Sequence, residues 1–231
     1  MASKNTIKTY LENSYYHVYN RGVEKKDIFR DEQDYSVFLS YLKTYLLPKE
    51  EKQLREIISS PATGWREKDQ AIKLLRLNNF AGEISLIAYC LIPNHFHLLI
   101  KQGSGMAIDK FMNSLALRYT MFFNKKYRRV GPLCQSQYKA VLVESEEQLL
   151  YLTGYIHRNP LPDKLPSQKN VLGMLLSQPS SLPEYLGQRK TTWVHPDEIL
   201  AYFSKTNPRI SYQSFMEQTE NFSLIRESLI D

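Results

Sequence analysis

Residues 83–101 constrain the fold more than any other part of this chain. Two apolar runs, 83–91 and 95–101, flank the dipeptide Pro93-Asn94. The first is β-branched at several positions, as strands are. So tight a link between two strands predicts an antiparallel hairpin. Along the second strand, alternate side chains share a face. His95 and His97 therefore point one way, and Phe96 and Leu98 point into the opposite, buried face. Two converging imidazoles are half of a metal site. The plainer alternative is a pair of polar residues on a solvated strand face.

The remaining elements arrange themselves around this hairpin. Residues 15–21, rich in aromatics and ended by Gly22, read as a strand. Residues 31–47 read as a helix, with Tyr35, Phe38, Leu39, Leu42, Tyr45 and Leu46 at helical spacing, and Pro48 ends it. A charged, partly helical segment, 49–79, is broken at 59–64 and reads as an insertion between core elements. A long helix is expected over 106–126, a turn at Gly131-Pro132 and a fourth strand over 137–143. Ser145-Glu-Glu-Gln148 is a capping box, so a last core helix starts there. It runs to Asn159, because Pro160 disfavours helical geometry in the residue before it. The order β-α-β-β-α-β-α predicts an α+β, ferredoxin-like antiparallel sheet with helices on one face. Five of the eleven prolines fall between Pro160 and Pro183, which marks a linker. The tail from about 180, with two expected helices, forms a small, mostly helical C-terminal extension. The domains expected are thus 1–160, with the insertion at about 48–80, and a linker with a C-terminal DNA-binding or accessory region over 161–231.

Charge points to a partner class. The formal net charge is +6 and the pI near 9.1. Between 101 and 140 stand Lys101, Lys110, Arg118, Lys125, Lys126, Arg128, Arg129 and Lys139 against the single acid Asp109. That concentration is the footprint of a polyanion partner. The competing explanation is that Lys and Arg simply favour the C-terminal end of a helix. No run of about twenty apolar residues is present, so no membrane span is expected. The N-terminal residues lack the apolar core of a signal peptide. Two cysteines are too few for a disulfide framework, and Cys90 falls in an apolar strand. A reducing, cytoplasmic setting is the expectation.

The last core helix carries the other reactive candidates. Tyr151, Tyr155 and Asn159 are four apart and stack on one face. Leu149, Leu152 and Ile156 form the neighbouring apolar face. A phenol attacks phosphorus only when a cation stabilises the phosphate charge and lowers the phenol's pKa. His95 and His97 could hold that cation, with the Asn159 side-chain oxygen as a third ligand. Against this, any one of sixteen tyrosines is more often a half-buried core residue. His157 faces elsewhere on the helix, as a structural or nucleic-acid-facing residue.

Three motifs together carry a family resemblance: Tyr16-His-Val-Tyr-Asn-Arg-Gly22, Tyr89-Cys-Leu-Ile-Pro-Asn-His-Phe-His-Leu-Leu-Ile100 and Tyr155-Ile-His-Arg-Asn-Pro160. The chain resembles the IS200-like single-tyrosine transposases, and within them the REP-associated tyrosine transposases. The resemblance implies a DNA endonuclease and strand transferase of the HUH kind. His95 and His97 would be its paired histidines, Tyr155 its nucleophile and Asn159 its third ligand. The ion would be Mg²⁺ or Mn²⁺, which suit phosphate chemistry better than a closed zinc site does. Arg21, Lys101, Arg118, Lys125, Lys126, Arg128, Arg129 and Lys139 are the residues expected to hold DNA. The expected partners are single-stranded or hairpin DNA and, for the protein itself, a homodimer. A domesticated, non-catalytic binder of hairpin nucleic acid is the rival. It has no need of His95, His97, Tyr155 and Asn159 together.

Overall fold

A computed structural model describes residues 10–159 and 171–218 of the chain. Four strands form one antiparallel sheet: β1 (Ser14–Arg21), β2 (Ile84–Ile92), β3 (His95–Gln102) and β4 (Lys139–Leu142). Their spatial order is β2-β3-β1-β4, the ferredoxin-like order expected from the sequence. The hairpin forms as anticipated, with Ile92 opposite His95 across Pro93-Asn94. That turn is anchored from outside. Gly22 N–H donates to the Asn94 carbonyl at 2.8 Å, and the Ile28 and Phe29 N–H groups donate to the Pro93 carbonyl at 2.7 and 2.9 Å. Gly22 has to be glycine, because a Cβ there would lie 2.0 Å from the Lys26 carbonyl oxygen.

One face of the sheet is covered by α1 (Glu32–Leu46) and, after an insertion described below, by the long helix over 107–126. Phe38, Leu42, Phe111, Leu115 and Tyr119 pack there against Val18, Phe96, Leu98 and Ile100. Asp31 caps α1 by accepting the Asp34 N–H. The insertion is a helical hairpin, α2 (Glu51–Ser59) and α3 (Trp65–Arg76), packed on itself. Lys49 Nζ clasps the two ends of the insertion together by donating to the Leu75 and Leu77 carbonyls, at 2.9 and 2.5 Å. The long helix, Ala107–Lys126, is α4.

The opposite face is covered as well. There α5 (Glu146–Arg158) lays Leu149, Leu152 and Ile156 on Ile87, Ala88, Cys90 and Leu99. Ser145 caps α5 by accepting the Gln148 N–H, while Gln148 Oε1 accepts the N–H of Glu144. Four short helices complete this layer: α6 (Val171–Leu176), α7 (Leu182–Tyr185), α8 (Asp197–Leu200) and α9 (Tyr212–Gln218). Leu175, Leu182, Tyr185, Ile199, Tyr212 and Met216 bury into the same cluster. Part of the expected linker, 160–170, lies outside the described residues. From Leu172 onward, a free linker is not what the structure holds, because the apolar side chains there find the uncovered sheet face. Pro179–Ser181 even extends the sheet hydrogen bonding. Leu91 N–H donates to Pro179 O at 2.9 Å, and Ser181 N–H to Tyr89 O at 3.0 Å.

Candidate active site

The second sheet face holds the candidate chemistry. Register places Arg21 opposite His95 and Tyr19 opposite His97 on β1, with Cys90 opposite His97 on β2. Opposed residues share a face, so Arg21, His95 and His97 line one surface. The histidines do not stand on a solvated strand face. His97 is fully buried, because α5 lies over it. Tyr155 of α5 is half-buried, its ring edge-on to His97 with centroids 5.6 Å apart. His95 and His97 themselves sit 5.0 Å apart, centroid to centroid. At the C-terminal end of the same helix, the Asn159 side chain lies beside His95 and raises its pKa. The structure therefore brings His95, His97, Tyr155 and Asn159 together, from two elements separated by about fifty residues of chain.

Both imidazoles are held neutral. Burial, helped by the Arg21 guanidinium, pushes His95 down to about 4 against the opposing influence of the Asn159 side chain. Burial also drives His97 well below the usual histidine range, reinforced by the neighbouring His17, His95 and Arg21. Neutral imidazole is the form that ligates a metal. His95 Nδ1 is hydrogen-bonded to Asn94 Oδ1. An amide oxygen only accepts, so the proton lies on Nδ1 and the Nε2 lone pair is left to the site. His97 Nε2 is buried with no hydrogen-bond partner among the described residues. Such an orphan is what a missing ligand leaves behind. No group of three or more His, Cys, Asp or Glu side chains is placed to hold a metal among the described residues. A site here would rest on two imidazoles and the Asn159 amide oxygen, with positions left open. That set fits Mg²⁺ or Mn²⁺ acting on a phosphate better than a closed structural ion.

The basic residues divide. Arg21, half-buried, belongs to the site itself, and its Nε has no partner among the described residues. Lys139, exposed on the edge strand β4, lies over the Tyr19 ring at 5.6 Å. Lys101 shares this face but is bound to Glu198 of α8 at 2.8 and 3.0 Å. Arg118 lies on α4, with its guanidinium 3.9 Å from the Tyr41 ring centroid. Lys126 is held by Asp31 and the buried Asp34, at 2.6 and 2.7 Å. Arg129 donates to Asn124 Oδ1 and to the Pro132 carbonyl. Lys125 and Arg128 are exposed.

Two further histidines flank the site, His17 with no role assigned from the sequence and His157 expected to be structural or nucleic-acid-facing. His17, fully buried, has its Nε2 2.8 Å from His97 Nδ1. His157 proves structural: its ring nitrogens meet Tyr212 Oη at 2.7 Å and Ser181 Oγ at 2.8 Å. Burial pushes His157 down to about 3, so it serves as a neutral strut between α5 and the C-terminal layer. The signal for His17 was the Tyr-His-Val motif on β1, but nothing local says which strand it will face.

Comparison with known proteins bears out the family resemblance read from the sequence. Residues 62–159 match the family described as "Transposase IS200 like". That segment contains His95, His97, Tyr155 and Asn159, while β1 with His17 and Arg21 precedes it. No curated protein matches the chain. A solved structure of a REP-associated tyrosine transposase bound to a REP hairpin aligns over 84% of this chain and 98% of its own, at 10% identity and a TM-score of 0.41. No helix among the described residues is long and apolar enough to cross a membrane.

Proposed function

We propose that this protein is a metal-dependent, single-stranded DNA endonuclease and strand transferase acting through Tyr155. The observation that carries the reading is the meeting of the Tyr155 phenol with His97, His95 and Asn159 on one buried sheet face. In the step proposed, the Tyr155 hydroxyl oxygen forms a bond to phosphorus, and the bond from phosphorus to the 3′ oxygen breaks. The phenol gives up its proton and the departing 3′ oxygen takes one up. The products are a 5′-phosphotyrosine and a free 3′-OH. Attack by a 3′-OH on the adduct reverses the exchange and rejoins a strand without external energy. A bound Mg²⁺ or Mn²⁺ would polarise the scissile phosphate. His95, His97 and Asn159 would hold it, while burial beneath α5 keeps competing water out. Arg21, beside His95, would pair with a phosphate oxygen, and Lys139 would hold the backbone alongside. A hairpin next to the cut site is the substrate proposed.

Labelled single-stranded DNA, a divalent metal and a denaturing gel test this reading. The wild type is expected to form a covalent adduct that chelation with EDTA abolishes. Tyr155→Phe is expected to form none, with DNA binding kept within a few-fold. An adduct persisting in that variant would move the nucleophile, with Tyr151 first in line. DNA binding without any adduct in the wild type would leave only the binder.

A further inference from the structure

His17 is separated from His97 by 80 residues and opposes Leu99, not His97, in the β1–β3 register. The two rings nevertheless meet edge to edge, 15° from parallel with centroids 5.0 Å apart, and share a 2.8 Å hydrogen bond between His17 Nε2 and His97 Nδ1. A hydrogen bond between two imidazoles has one donor and one acceptor. The bond alone does not say which. The other nitrogen of His97 does. Its Nε2 is buried and unpartnered among the described residues. With the proton on Nε2, a buried N–H would go unpaired, which proteins avoid. With the proton on Nδ1, that N–H is donated to His17 and Nε2 keeps a bare lone pair.

We propose that His17 is a positioning residue: it accepts the Nδ1–H of His97 and so holds His97 in the tautomer whose Nε2 lone pair is open to the site. Asn94 does the same for His95 through its side-chain oxygen. Both ligands are thus set by a partner behind the ring, as the outer shell of a metal site usually does. The bond lies close to the planes of both rings, which fixes the plane of His97 as well as its proton. It is not a third ligand in this arrangement. Its Nε2 is engaged at His97 Nδ1, across the ring from His97 Nε2. The consequence for metal affinity rests on the reading given under the proposed function; the tautomer does not.

The test uses the full chain, metal-free, with ¹⁵N-labelled histidine. Long-range proton–nitrogen correlation is expected to show His97 protonated on Nδ1. Protonation on Nε2 would overturn the inference directly. His17→Leu fills the space without an acceptor. It should release His97 to the other tautomer and weaken Mn²⁺ binding, read from the free-ion EPR signal, by about 10–100-fold. His17→Gln restores an acceptor and should recover most of that loss. Mn²⁺ affinity unchanged in His17→Leu, with His97→Ala abolishing binding, would overturn the inference and spare the metal site. Should the wild type bind no Mn²⁺, the metal reading falls and the His97 tautomer alone decides. If His17→Leu does not fold, the wild-type tautomer and the glutamine variant carry the test.

Discussion

Arg128 has a φ of 49°, in the left-handed region that side chains avoid. It sits just past the end of α4, where the Arg129 N–H reaches back to the Asn124 carbonyl at 3.0 Å and Tyr127 N–H to Phe123 O at 2.9 Å. That pattern closes the helix as a Schellman turn, and its natural occupant is glycine. Arg128→Gly should therefore raise stability by about 0.5–1 kcal/mol, the strain relieved less the entropy glycine gains when unfolded. Urea unfolding at constant slope measures it; a fall in midpoint would mean that the arginine side chain contributes a contact worth more than the strain. The same scale shows what was legible in the sequence. His95 with His97 and Tyr155 with Asn159 could be paired because strand and helix periodicities are local rules. His17 could not, since its partner is fixed by strand register and ring orientation. Asn94 was read as turn chemistry, and its side chain proves to orient His95 too.

Among the elements, α4 and its C-terminal turn reassign the basic segment. Sequence counting put Lys125, Lys126, Arg128 and Arg129 on one track. The structure binds Lys126 to Asp31 and Asp34, and Arg129 to Asn124 and Pro132, joining α4 to α1 and to its own turn. The acids lie more than ninety residues upstream, so no window along the sequence would find them. Lys126→Ala should lower the thermal midpoint, because it leaves the buried Asp34 carboxylate without its cation; Lys125→Ala should not. The hydrogen bond from Lys126 holds Asp31 below its ordinary value of 3.8. A lowered carboxylate contributes stability above that ordinary value and loses it as pH falls through the lowered one, so this tie fails only in strong acid. The DNA track should instead follow the site face. Lys139→Ala should flatten the log affinity against log salt slope by about 0.7 for single-stranded DNA, while Lys126→Ala leaves the slope alone. Fluorescence anisotropy at several salt concentrations separates them; a slope unchanged in Lys139→Ala would take the strand off the β4 edge.

For the molecule as a whole, the C-terminal layer belongs to the same folding unit as the sheet. The ferredoxin-like order was legible, since hairpin, helices and strand lengths obey local patterning. The covering of the second face was not, because helices of four to seven residues show too little periodicity to read. Yet that layer grips α5, the helix that carries Tyr155. His157 reaches Tyr212 and Ser181, and Arg158 Nη1 donates to the Met216 carbonyl at 2.7 Å. It also closes the outer edge of β2, whose nine residues, Ile-Ser-Leu-Ile-Ala-Tyr-Cys-Leu-Ile, hold neither charge nor proline. Natural sheets guard edges with such residues, and an unguarded, apolar strand of this composition is the seed of cross-β stacking. Pro179–Ser181 is the guard here, supplied from far along the chain. A chain ended at residue 170 should consequently form thioflavin-positive aggregates where the full chain stays monodisperse by light scattering; a dispersed, folded truncation would refute this. During synthesis the ribosome releases β2 long before its guard emerges, so the nascent protein passes through an interval in which the apolar edge of the hairpin that carries His95 and His97 is bare.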